Sequence, residues 1–277
     1  MKASVGGYAR ASDLRHALEL LSGSGGLGRV LAGGQSLIAA MNMRLSAGDL
    51  LVDISRVSDL SGVSDTGERL LIGALTRHVE IAGNPLIREH APLLSRAVQY
   101  IAHAAIRNRG TIGGALAHAD PAAEFPACIL ALGATLHIEG LHGRRDVAAE
   151  DFFQDIFETS IGEGEILTGI SVPKAEAGEA HLIEEVARRS GDYALAGLCL
   201  VKRAAGHRVA LFSVGPKPLL ARTAMTALDR GDVEGAAKAL HDELDPPSDT
   251  QASGAYRRHL AQVLLRRAVA RIEGATA

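Results

Sequence analysis

Tryptophan is absent from this chain of 277 residues, and the remaining aromatics make up only 3% of it. Cysteine is almost as scarce. Cys128 and Cys199 stand far apart, in segments that read as buried helix and buried strand, and neither belongs to a C-x-x-C pair. This chain alone therefore cannot hold an all-cysteine [2Fe–2S] cluster, and the two thiols read as core residues. The eleven histidines are scattered without metal-ligand spacing, so no metal is expected on this chain. No run approaches the roughly 18 apolar residues a membrane helix needs, and the N-terminus has no apolar signal region, so the expected location is cytoplasmic. A formal net charge of −3 supplies no long-range attraction for nucleic acid or an anionic membrane, so any phosphate recognition must be local. The Gly-x-Gly-x-x-Gly dinucleotide fingerprint is missing. So is a self-contained catalytic set: no serine nucleophile with its base and no paired carboxylates at helical spacing.

What is present is an ordinary globular balance, 47% hydrophobic and 22% charged, and a length sufficient for two modest domains. Two glycine segments organise it. Ala32-Gly33-Gly34-Gln35-Ser36-Leu37 follows the apolar run Arg29-Val30-Leu31 and precedes a helical spacing at Leu37, Ile38, Met41 and Leu45. The context is strand, tight turn, helix over 37–45. Paired glycines permit positive φ and leave no Cβ in the way, so successive N–H groups can converge on an anion; Ser36 can cap the helix or donate its hydroxyl. Thr111-Ile112-Gly113-Gly114 repeats the arrangement after Arg107-Asn108-Arg109-Gly110. Two such concavities suit a ligand with more than one phosphate, a dinucleotide.

Along the chain, Ser12-Asp13 caps a helix with Leu14, Ala17, Leu18 and Leu21 on one face, stopped by glycines 23, 25 and 26. Residues 50–54 form a near-continuous apolar strand, so the opening reads as a small α/β unit with parallel strands. Residues 70–75 read as a strand, Thr76 as the cap of a short helix through Ile81, and Leu94, Val98, Ile101 and Ala105 as one face of a longer helix that delivers the second glycine segment. A helix at 128–132 and strands near 135–138, 144–147 and 166–172 complete an α+β unit. After a Gly/Pro-bounded linker at 173–178, segments 181–189, 195–203 and 207–214 predict an antiparallel meander of three strands, followed by helices. The last helix, 253–273, presents Tyr256, Leu260, Val263, Leu264 and Ile272 on one face, and Arg257, Arg258, Arg266, Arg267 and Arg271 elsewhere as a solvated or interface face.

These motifs, with Ala117-His118-Ala119-Asp120-Pro121, Gly164-Glu165-Ile166-Leu167, Arg188-Arg189-Ser190-Gly191-Asp192-Tyr193 and Tyr256-Arg257-Arg258 in the same order, resemble the FAD-binding medium subunits of molybdenum hydroxylases. The carbon monoxide and xanthine dehydrogenases belong to that family. The resemblance spans nearly the whole chain. It implies an α+β fold in which a two-part FAD-binding domain of PCMH type, residues 1–173, precedes a C-terminal flavoprotein domain, residues 174–277.

The resemblance also implies roles. Ala32, Gly33, Gly34, Gln35, Ser36 and Leu37 with Thr111, Ile112, Gly113, Gly114 and Ala115 would cradle the FAD pyrophosphate. Asp120 and Glu124 would accept hydrogen bonds from ribose or adenine; the family usually has Asp at the position of Glu124. Tyr193 would lie by the isoalloxazine as the candidate catalytic residue, with Ile101, Leu167 and Glu185 completing the cofactor set. Relatives often have Lys at the position of Glu185, a charge that would stabilise anionic reduced flavin. The implied partners are a large subunit with the molybdenum cofactor and a small one with two [2Fe–2S] clusters, assembled as a dimer of heterotrimers. NAD, a quinone, oxygen and a dye are all chemically possible electron acceptors. The alternative is a stand-alone FAD-dependent oxidase or dehydrogenase acting on a small organic substrate; no flavin attachment motif is evident.

Overall fold

The computed structural model describes residues 6–46 and 50–274. Its first unit contains β1 (Tyr8–Arg10), α1 (Leu14–Gly23), β2 (Gly28–Leu31), α2 (Leu37–Asn42) and β3 (Leu50–Asp53). The strands are parallel in the order β1-β3-β2, as expected for a small α/β unit. Asp13 caps α1 by accepting the His16 N–H, and Ala17, Leu18 and Leu21 pack on Val52 and Ile54. Helix α2 is shorter than its apolar spacing predicts. Arg44 takes φ 60 beyond its end, so Leu45 leaves the helical face and is exposed.

The middle unit adds β4 (Val63–Asp65), β5 (Arg69–Gly73), α3 (His78–Gly83), α4 (Pro85–His90), α5 (Pro92–Ala97), α6 (Ala104–Arg107), α7 (Ile112–His118), α8 (Glu124–Leu132), β6 (Thr135–Gly140), β7 (Gly143–Ala148), α9 (Ala149–Phe152), β8 (Phe153–Asp155), β9 (Glu158–Thr159) and β10 (Ile166–Pro173). Its antiparallel sheet runs β4-β5-β10-β6-β7. The single long helix predicted through Leu94, Val98, Ile101 and Ala105 is instead two. Helix α5 stops at Ala97, Ala102 sits at φ 40, and the Arg107 guanidinium donates to the Ile101 and Ala102 carbonyls at 2.9 and 3.0 Å. Those carbonyls are thereby satisfied without an intervening helical turn.

The last unit comprises β11 (Ala180–Val186), β12 (Ala196–Arg203), β13 (Gly206–Phe212), β14 (Leu219–Leu220), α10 (Arg222–Asp229), α11 (Val233–Glu243) and α12 (Gly254–Gly274). The predicted meander is present, shortened at Val186 and extended by the two-residue strand β14. Alternation along it builds two cores. Cys199, Val201, Ala210 and Phe212 face the large core shared with the middle unit, whereas Leu198, Leu200, Val209 and Leu211 face α10, α11 and α12. Between the two sheets lies α8, apolar almost all round and buried along its whole length. It begins four residues before the predicted start. The Cys128 and Cys199 sulfurs meet across this packing at 3.6 Å as free thiols. Among the described residues no helix is long and apolar enough to cross a membrane.

Candidate functional site

The first glycine segment leaves the end of β2 and turns sharply into α2. Gly34 supplies the positive φ, at 72°, with Ile38 and Leu31 side chains packed 3.3 Å from where a Cβ would be. Gly33 is needed for a different reason. A Cβ there would overlap the Arg109 carbonyl oxygen and lie 3.0 Å from Gly110 Cα, so the first glycine segment touches, backbone to backbone, the stretch that leads into the second. Gln35 braces the turn by donating to the Gly33 carbonyl at 3.0 Å. Ser36 does not cap α2, since its own backbone is helical and its hydroxyl makes no bond to a helix N–H. Among the described residues, none accepts a hydrogen bond from the backbone N–H groups of residues 32–37. These residues are half-buried, with Ser36 exposed, so the donors stand open to solvent or to an anionic ligand.

The second segment is built otherwise. Gly113 and Gly114 do not form a positive-φ turn; they lie in the first turn of α7, where Thr111 is the N-cap and accepts the Gly114 N–H at 3.2 Å. The Ile112 and Gly113 N–H groups donate to Thr76 and Ala74 carbonyls at 3.0 and 2.8 Å. Their donors are spent inside the protein, so this segment acts as a wall. A Cβ on Gly113 would overlap that of Ala74, which shows why α7 can dock this closely on the end of β5. Ile112 is fully buried in the core and Ala115 half-buried. The next polypeptide layer behind the wall contains His78, which the sequence reading missed. Its ring packs edge-on to Phe125 at 5.0 Å and touches the position a Gly110 Cβ would take, and burial holds it neutral, with its pKa lowered to about 4. A histidine directly after a strand and its Thr76 turn was the available signal.

Asp120 lies in the turn between α7 and α8, where it accepts the Ala122 N–H at 2.9 Å. Glu124 opens α8 and is 8% exposed, so it is a buried acid and not a solvated loop acid. Burial pushes its pKa up to about 8, opposed by its own backbone N–H and reinforced by the Glu185 and Asp120 charges. Glu185, on β11, is half-buried with one carboxylate oxygen lacking a partner, and burial raises it to about 7. Both acids therefore carry a proton for much of the neutral range, and a protonated carboxyl can donate as well as accept.

Tyr193 stands on the approach to β12 and is 67% exposed overall. Desolvation raises the pKa of its hydroxyl, and the nearby charges of Asp120 and Glu124 raise it further. The turn before it is held by Gly191 at φ 85, whose missing Cβ would come within 2.8 Å of the Ala102 carbonyl and the His103 ring. Thus the break between α5 and α6 seats the Tyr193 turn and brings Ile101 near it. Asp120, Glu124, Glu185 and Tyr193 form one neighbourhood. Ile101 and Leu167 are 8% and 5% exposed and belong to the core beneath, where Leu167 marks a bulge in β10.

The helix α12 corrects the sequence reading again. Tyr256 is exposed and Arg257 is 5% exposed, in line with Ala261, Leu264 and Ala268 at helical spacing. Arg257 is therefore no surface arginine. Arg266, by contrast, pairs with Glu234 at 2.8 Å on the exterior.

Comparison with known proteins agrees with this geometry. Residues 3–175 match the FAD binding domain in molybdopterin dehydrogenase, and residues 181–272 match the CO dehydrogenase flavoprotein C-terminal domain. The chain is 35% identical to the 6-hydroxypseudooxynicotine dehydrogenase complex subunit alpha of Paenarthrobacter nicotinovorans, over 95% of this chain and 93% of that one. It is 33% identical to the carbon monoxide dehydrogenase medium chain of Hydrogenophaga pseudoflava, over 95% of each. A solved carbon monoxide dehydrogenase from that organism superimposes with a TM-score of 0.94 at 34% identity, over 97% of both chains. Quinoline 2-oxidoreductase from Pseudomonas putida 86 gives 0.92 at 32% identity over the full length of both. With two family domains in order and relatives aligned end to end, the chain belongs to the FAD-binding medium subunits of molybdenum hydroxylases, the oxidoreductase flavoproteins of the carbon monoxide and xanthine dehydrogenase family.

Proposed function

We propose that this chain is the electron-transfer subunit of a cytoplasmic molybdenum hydroxylase, joined to a large molybdenum-cofactor subunit and a small iron–sulfur subunit in a dimer of heterotrimers. FAD, when bound, supplies the redox chemistry that links the iron–sulfur clusters to an external acceptor. The observation that carries this reading is the run of unpartnered N–H groups at residues 32–37, held in place by glycines that let the surrounding backbone pack close.

In this reading the N–H groups of Ala32 through Leu37 hold the pyrophosphate, and Thr111 through Ala115 exclude water behind it. Asp120 accepts from the ribose or adenine. Glu124 has an extra methylene relative to the family's usual Asp, and its buried, largely protonated carboxyl donates at that position instead of offering a second charge. Glu185 stands where relatives often have Lys, so at this position the chain would offer a bound flavin a carboxyl of raised pKa in place of a fixed positive charge. Tyr193 shields the ring face and sets access to it. Residues 1–173 form the FAD-binding domain and residues 174–277 the C-terminal one, with Tyr193 and Glu185 contributed across the boundary.

The test is flavin titration followed by mixing. The purified chain should bind FAD noncovalently and release it on acid treatment. Organic substrate should bleach its visible spectrum only after the iron–sulfur and molybdenum subunits are added. Full-rate oxidation of an organic substrate by the isolated chain would replace this reading with that of a stand-alone oxidase.

A further inference from the structure

Arg257 lies in the first turns of α12, and its guanidinium is buried among backbone carbonyls. Nη1 donates to the Leu195 carbonyl at 2.7 Å and to the Ser213 carbonyl at 3.3 Å, while Nη2 donates to Asp249 at 2.7 Å. Each carbonyl belongs to a strand end that leads to the site. Leu195 is two residues beyond Tyr193, and its own N–H donates to the Val186 carbonyl at 2.7 Å, beside Glu185. Ser213 follows β13, and its N–H donates at 2.8 Å to the carbonyl of Pro121, the residue after Asp120.

Ser213 makes that bond from φ 63, a left-handed conformation that a serine adopts only when its surroundings over-determine it. The bonds to Arg257 and Pro121 are the surroundings in question. One planar group thus ties together the segment before β12, the end of β13 and the turn between α7 and α8. A lysine ammonium is a point charge on a flexible stem and lacks the fixed fork that serves two carbonyls and a carboxylate at once.

We propose that Arg257 is a positioning residue that sets the segment carrying Tyr193 against the turn carrying Asp120. The flavin-side importance of that pair rests on the functional reading above; the positioning itself does not. The helix that carries Arg257 is otherwise remote in sequence from every glycine motif. Its role is to join the C-terminal unit to the site through carbonyls, not through contact with a ligand.

The experiment uses the full chain without flavin. Four tyrosines and no tryptophan make ring-labelled tyrosine resonances few and assignable, with Tyr193→Phe identifying one of them. In the otherwise native chain, Asp120→Asn should move the Tyr193 resonance. That response should vanish in Arg257→Met and shrink in Arg257→Lys, which keeps the charge and guards against a variant that does not fold. Asp249→Asn should retain it, because it loosens the same helix while leaving both Nη1 bonds in place. A response to Asp120→Asn that is undiminished in folded Arg257→Lys and Arg257→Met, or absent from the native chain, overturns the proposal. A lost response with unchanged FAD affinity upholds the positioning role and instead removes Tyr193 and Asp120 from the flavin site.

Discussion

Gly33 and Arg109 meet so closely that a single methyl group on the glycine would overlap the arginine's carbonyl oxygen. The first glycine segment is therefore packed directly on the stretch that leads into the second. Gly33→Ala must push two backbones apart, at a cost of roughly 1–3 kcal/mol for an overpacked site. Under the proposed function it should also weaken FAD binding. Gly23→Ala, at the end of α1 with open space around it, should instead be neutral or stabilise by up to about 1 kcal/mol. Urea unfolding and flavin titration of both variants decide this, and equal behaviour of the two would contradict the close approach.

Gly113 and Gly114 should differ although they are neighbours. At Gly113 a Cβ would overlap Ala74 Cβ and sit 2.7 Å from the Ala74 carbonyl oxygen, so Gly113→Ala should cost about 1–3 kcal/mol by forcing α7 off β5. At Gly114 the nearest obstacle is the Thr111 hydroxyl at 2.9 Å, which can rotate away at the expense of the cap. Gly114→Ala should then cost only about 1 kcal/mol, the usual value of an N-cap. Thermal unfolding of the pair gives the ordering, and a more damaging Gly114→Ala would be evidence against it.

Glu124 makes stability depend on pH. Its folded pKa of about 8 lies above its ordinary value of 4.5. Below the ordinary value the carboxyl is protonated in both states and its contribution is complete. Between the two values the folded chain keeps a proton that the unfolded chain has released, so stability falls as pH rises, by at most about 1.4 kcal/mol per pH unit. Glu124→Gln removes that slope. Denaturant midpoints should therefore show the variant gaining on the native chain from about pH 5 to about pH 8. Parallel profiles would mean that the acid is ionised in the fold.

Much of the architecture was legible because it is local. The strand, turn and helix around Gly33 and Gly34, the cap at Asp13, the meander after the linker and the terminal helix all follow from spacing, turn residues and caps within a dozen residues. The ordered motifs sufficed for the family. The break at Ala102 was illegible because Leu94, Val98, Ile101 and Ala105 keep helical spacing across it, and only the Arg107 guanidinium and the Gly191 turn packed on it give those carbonyls and that backbone another state.

By itself the sequence determined where the glycines fall and which segments alternate or repeat, since those properties belong to each stretch of chain. Which of the glycine segments keeps its N–H groups free was decided only by folding, because the donors of Ile112 and Gly113 are consumed by Thr76 and Ala74, residues remote in the chain. Burial was likewise decided there. Glu124 and Glu185 hold protons near neutrality, and Arg257 reaches Leu195 and Ser213, because packing of α8, β11 and α12 removes water from groups that the sequence alone writes as ordinary surface charges.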